Sequence, residues 1–125
     1  MTHESFPRSR TELEAARVLL QSGYPAQAIS RAYYAAFFAA ESALLALGET
    51  RSKHSGVISS FGQLVVKDGG VPREIGSLLS TLFQLRLAAD YGPGEFTSAE
   101  AERSIADAER FVTAVEDWRG RRLST

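Results

Sequence analysis

In this 125-residue sequence a charge stands where an apolar side chain belongs. Ile75, Leu78, Leu79, Leu82 and Ala89 recur at helical spacing, and Arg86 falls in the middle of that stripe. Asp90 follows one turn later, with Tyr91 beside it. A buried guanidinium without a partner costs several kcal/mol even after relaxation. Arg86 must therefore be paired, reach water along its stem, or line a groove open to solvent or to another subunit. Asp90 is within helical side-chain reach, but Arg-then-Asp is the less favourable order for the helix dipole. Two readings stand: a structural ion pair that orders a helix end, and a phosphate clamp, for which the planar guanidinium is well suited.

Histidine is the side chain best matched to proton transfer near neutrality. His3 lies in the N-terminal segment, and His54 lies in "RSKHSG" at a helix start. With Arg51 and Lys53, His54 makes a small basic cluster that suits an anion. The plainer alternative is a solvent-exposed loop histidine. Tyr34 shares a polar strip with Ser30 and Arg31 and is a groove or interface candidate, or part of a solvated face. Tyr33 falls on the apolar stripe as a packing residue. Without cysteine there are no disulfides and no thiolate chemistry. No Gly-rich phosphate loop, two-histidine helix, calcium loop or Glu-x-x-His pair occurs, so neither a metal nor a cofactor is expected. "GGVPREIG" reads as a helix-start loop.

These residues must be positioned by helices. The spacing predicts a first helix from about Arg10 to Ser22, with Thr11 and Glu14 at capping-box spacing and Gly23 as the stop. A second runs from about Pro25 to Leu47, closed by Gly48. Its stripe of Ile29, Tyr33, Ala36, Phe37, Ala40, Leu44 and Leu47 is widened by alanines, which makes it central. A third covers about Ser55 to Asp68, a fourth runs from near Pro72 to Tyr91, and a fifth from about Ser98 to Arg119, with Thr97 and Glu100 at capping-box spacing. The tail after Trp118, with Arg119, Arg121 and Arg122, reads as frayed. Short loops between long helices favour antiparallel neighbours. The expected fold is all-α: one up-and-down bundle of about five helices spanning 1–125, with its core at about 8–119.

Hydrophobic residues make up 44% and charged residues 23% of the chain, an ordinary globular balance. A net charge of -1 excludes a polybasic nucleic-acid binder but leaves room for a local basic patch. The N-terminus lacks the apolar core of a signal peptide, and no apolar run is long enough to span a membrane. The expectation is a soluble, cytoplasmic protein.

Three segments, "SRAYYAAFFAAESALLALG" (30–48), "KHSGVISSFGQLVVKDG" (53–69) and "LFQLRLAADYG" (82–92), resemble the HEPN-domain family, in particular its small stand-alone branch. The resemblance implies a helical bundle that dimerises. It also implies a relation to metal-independent RNA endonucleases, many of them toxins encoded beside a minimal nucleotidyltransferase. The family's nuclease signature is an arginine followed after four to six residues by a histidine, with two copies facing across the dimer. Arg86 matches the arginine. No histidine follows, and Tyr91 stands at the shortest spacing. With a pKa near 10, tyrosine is a poor base at neutral pH. The pattern therefore suits RNA or nucleotide binding around Arg86 better than efficient cleavage. Arg86, Asp90, Tyr91, Tyr34, Arg31, Ser30 and Lys53 are the expected binding residues. Arg86, Tyr91 and His54 are the catalytic candidates if cleavage occurs. An active endoribonuclease toxin is the first alternative, and a non-catalytic helical adaptor the second.

Overall fold

The computed structural model describes residues 5–50, 53–67, 70–92 and 95–123. Five helices account for nearly all of them. They are α1 (Ser5–Gln21), α2 (Pro25–Ala46), α3 (His54–Phe61), α4 (Arg73–Tyr91) and α5 (Ser98–Leu123). No strand occurs among the described residues.

Helix α2 sits at the centre and packs against each of the other four. Ala28, Ala32, Ala35, Ala36, Ala39, Ala40 and Ala43 are fully buried, which lets neighbouring helices approach closely on several sides. Ile29, Tyr33 and Leu44 fill the gaps between the small residues and are buried too. Helix α5 supplies Ala101, Ile105, Ala108, Phe111, Val112 and Val115 to the same core. Arg10 and Arg17 of α1 pair with Glu116 and Glu109 of α5, at 2.6 and 3.0 Å. Helix α4 is less enclosed: only Leu79 and Leu82 are buried, while Leu78, Phe83 and Leu85 are partly covered.

Local signals explain where the helices stop, and where the sequence misleads. Gly23 and Gly48 adopt φ of 91° and 77°, the left-handed conformation in which glycine ends a helix without strain. Thr97 and Glu100 form a capping box. The Thr97 backbone N–H donates to Glu100 Oε1 at 2.8 Å, and the Glu100 N–H donates to Thr97 Oγ1 at 3.1 Å. The backbone hydrogen bond holds the Glu100 carboxyl below its usual pKa. Thr97→Ala is expected to lower the thermal midpoint slightly and raise the Glu100 pKa, as read by NMR titration.

The expected box at Thr11 and Glu14 does not form, because α1 begins earlier. Thr11 lies inside the helix and its hydroxyl donates to the Pro7 carbonyl at 3.0 Å. The third helix is not uniform either: after Phe61 the chain winds as a π-helical turn over Gly62–Val66. The wider turn still buries Val65. Residues 68–69, at the expected end of this helix, lie outside the described residues. The C-terminal segment is helical to Leu123 rather than frayed. Trp118 and Arg119 are buried, at 6% exposure each, and Arg121 donates to the Gly70 carbonyl at 3.0 Å.

Candidate functional site

Helices α2 and α4 run side by side, and their contact places the candidate residues. Arg86 projects from the covered side of α4, with its side chain 13% exposed. Its Nη2 donates to the Tyr34 hydroxyl at 2.8 Å. Its Nε lies 3.0 Å from Asp90 Oδ2. The Nε–H is not aimed at that oxygen, so the pair is an ion pair and not a hydrogen bond. Asp90 is held from the other side by the Ser30 hydroxyl, which donates to Oδ1. Burial alone would lower the Arg86 pKa, but the Tyr34 hydrogen bond and the nearby Asp90 outweigh it. The group stays cationic.

Ser30, Arg31, Tyr34 and Asp90 line one cleft of about 380 Å³ between α1, α2 and α4. Arg31 does not turn towards Arg86. It spans Glu12 of α1 at 3.0 and 3.2 Å, with its guanidinium 4.7 Å from the Tyr34 ring centroid. Tyr91 is 76% exposed, and its ring centroid lies 5.9 Å from Arg86 Cζ. A side chain so placed is free to stack on a ligand. Lys53 is exposed and occupies the position preceding α3; it does not line this cleft. Arg51 lies outside the described residues.

His54 is not an open loop residue. As the first residue of α3 it packs into an aromatic cluster, stacked on Phe37 at 4.4 Å between ring centroids and flanked by Tyr33, Tyr34 and Phe83. Its Nδ1 shares a 2.7 Å hydrogen bond with the Tyr33 hydroxyl, the donor depending on the tautomer. Burial lowers the His54 pKa, and the positive charge of Arg86 lowers it further. Burial raises the Tyr33 pKa, so Tyr33 stays a neutral phenol. A route of contacts thus runs from Arg86 through Tyr34 and Tyr33 to His54. Tyr33 is legible in the sequence only as core; its link to His54 depends on the turn into α3, which helical periodicity does not encode.

The His54 shift has a signed consequence. The folded state favours the neutral imidazole, so protonation favours unfolding. This contribution is fully present above the unfolded value near pH 6.5 and is lost as pH falls through the lower folded pKa. Between pH 7 and pH 5 the wild-type protein is expected to lose more stability than His54→Gln, as read by urea denaturation.

No helix among the described residues is long and apolar enough to cross a membrane. The HEPN domain model matches residues 2–118, nearly the full chain. A UPF0332 protein of Thermotoga maritima is 38% identical over 110 residues, covering 87% of this chain and 83% of that protein. A Methanocaldococcus jannaschii protein designated a candidate toxin is 37% identical over 103 residues, covering 82% of this chain and 77% of its own length. The crystal structure of TT1696 from Thermus thermophilus superposes with a TM-score of 0.78 at 23% identity, over 94% of this chain and 97% of that one, which supports the fold. Sequence match, helix order and the Arg86 helix agree: this chain belongs to the HEPN-domain family.

Proposed function

We propose that this HEPN protein is a toxin-type RNA-binding domain that holds an RNA phosphate on Arg86, in a groove completed by a second copy of the chain. The observation that carries this reading is a cationic guanidinium kept 13% exposed and braced by Tyr34 and Asp90. A clamp fixed in advance loses little entropy when phosphate arrives. Exposed Tyr91 supplies a stacking surface at the rim. The incomplete covering of α4 supports pairing with a second copy, which would enclose Leu78 and Leu85. The candidate-toxin relatives support a toxin-type role, and a minimal nucleotidyltransferase is the partner that the family suggests.

One observation favours a second reading, metal-independent RNA cleavage. No histidine follows Arg86 on α4, yet His54 reaches the same aromatic cluster from α3. With the proton on Nδ1 and donated to the Tyr33 oxygen, Nε2 has the lone pair needed to accept the 2′-hydroxyl proton. The depressed pKa keeps the ring neutral and competent as a base.

The test is RNA binding and metal-free cleavage by the wild type, Arg86→Ala and His54→Ala, after folding and oligomeric state are matched. Binding lost in Arg86→Ala supports the clamp, and equal binding by all three proteins overturns it. Cleavage lost in both variants establishes the second reading; no cleavage by the wild type across a broad RNA panel leaves the binding role alone.

A further inference from the structure

A serine or threonine hydroxyl inside a helix ordinarily turns back onto a carbonyl three or four residues earlier. Thr11, Ser77 and Ser104 do so, donating to the carbonyls of Pro7, Glu74 and Glu100 at 3.0, 3.0 and 3.1 Å. Ser30 does not. Its hydroxyl carries one proton, and that proton is given across the helix contact to Asp90 Oδ1. Ser30 is buried at 8% exposure, so little of its surface is left for a ligand. Ser30 and Tyr34 stand one turn apart on α2, as Arg86 and Asp90 do on α4. The antiparallel contact sets Ser30 against Asp90 and Tyr34 against Arg86.

A carboxylate that meets an arginine freely forms two parallel N–H···O bonds, which fill the guanidinium fork and offset its charge. Asp90 falls short of that pairing. One oxygen is committed to Ser30, and the other, Oδ2, lies 3.0 Å from Arg86 Nε but off the N–H axis. The buried Nε–H has no hydrogen-bond partner among the described residues. Leaving a buried N–H unpaired beside a carboxylate is costly, so something must hold the carboxylate off. The Ser30 hydroxyl is the donor in place to do it. With its side chain 32% exposed, Asp90 has room to turn if released.

We propose that Ser30 is a positioning residue for the phosphate clamp: it holds Asp90 by one oxygen, keeps the carboxylate from chelating Arg86, and so leaves the guanidinium open to a phosphate. This role rests on the reading of Arg86 as a clamp. A hydroxyl suits the task because it is a neutral donor, which withdraws the carboxylate without adding a second cation. Asp90 stays close enough to keep Arg86 charged and oriented. Ser30 thus acts through Asp90 and not by touching the ligand, unlike the direct binding role that its place on the polar strip suggests.

The test is a double-mutant cycle on the full chain, with a fluorescently labelled single-stranded RNA of mixed sequence as probe. Ser30→Ala is expected to bind this RNA about three- to tenfold more weakly than the wild type, the scale of one net hydrogen bond. In the Asp90→Ala background the same substitution should have no effect, because the competing carboxylate is gone. A loss that persists in that background would mean that Ser30 meets the RNA itself, and would overturn the proposal. A second readout needs no RNA. Released onto Arg86, Asp90 accepts the Nε–H, so in Ser30→Ala that proton should move downfield and exchange more slowly with water, as followed by NMR. A purely structural role for Ser30 would loosen the α2–α4 contact and speed the exchange instead. Unmoved or faster Nε–H exchange, or RNA binding by Ser30→Ala equal to the wild type, would also overturn the proposal. Arg86→Ala separates the clamp from its positioning. RNA binding equal to the wild type in that variant overturns the clamp, whereas binding lost there, with Ser30→Ala unaltered, overturns only the part given to Ser30.

Discussion

Arg86→Met is expected to bind RNA about 10- to 100-fold more weakly than the wild type, while unfolding at the same temperature or a higher one. The affinity loss follows from removing charge-assisted hydrogen bonds to phosphate, together worth about 1.5–3 kcal/mol. The stability result follows from desolvation. Arg86 sits at 13% exposure on an apolar stripe, where an unbranched thioether of similar length fills the same space without a charge to bury. Removing one member of an ion pair is costly where the other is left buried and unpaired, but the Asp90 side chain is 32% exposed. The groups left behind are not stranded. Asp90 keeps the Ser30 hydroxyl and is partly exposed, and the half-buried Tyr34 hydroxyl lies beside the open cleft. Fluorescence anisotropy with labelled RNA and thermal denaturation read the two halves separately. A variant that loses several kcal/mol of stability but binds RNA as before would return Arg86 to the role of a structural ion pair.

The bundle is legible in the sequence because its helices carry long, regular apolar stripes. The stripe of α2 alone identifies the central helix, and the Thr97–Glu100 spacing marks the start of α5 by a mechanism local to four residues. The same spacing at Thr11 and Glu14 caps nothing, because capping chemistry acts only where a helix begins, and α1 begins at Ser5. The expected fraying beyond Trp118 is absent for a related reason. What holds that segment is distant in sequence: Arg121 reaches the Gly70 carbonyl across the α3–α4 connection. At the candidate site, the Arg86–Asp90 pair is an i, i+4 relation and can be read directly. The Ser30–Asp90 and Tyr34–Arg86 contacts need the α2–α4 register, and the His54–Tyr33 contact needs the path of the chain from α2 into α3. Arg31 shows the limit of strip-based reasoning. It lies on the same polar face as Tyr34, yet its charge is claimed by Glu12 of α1.

Phe111→Ala is expected to carry the largest stability cost of any single truncation considered, about 3–5 kcal/mol. Its ring is fully buried and lies 5.1 Å from that of Phe61, centroid to centroid. No Cα of α3 comes within 8 Å of a Cα of α5, so the two rings bridge helices whose backbones do not touch. Truncating the Phe111 ring removes the contact with Phe61 and leaves a cavity in a fully buried site. Against a typical total of about 5–15 kcal/mol, a loss of this size leaves the bundle marginal. The effect should be uneven. Helices α1 and α2 keep their own close contact, whereas α3 loses its tie to α5 and retains only its neighbours on α2 and α4 and in the adjoining π-helical turn. Hydrogen exchange should therefore rise more in α3 than in α1 and α2. Because His54 is the first residue of α3, loosening this helix should also weaken the Tyr33–His54 bond and let the His54 pKa rise towards its ordinary value. Denaturant unfolding, exchange and histidine NMR titration on the one variant would show whether the core contact at Phe61 and Phe111 is what holds His54 near Arg86. Uniform exchange across all five helices, with the His54 pKa unmoved, would show that it is not.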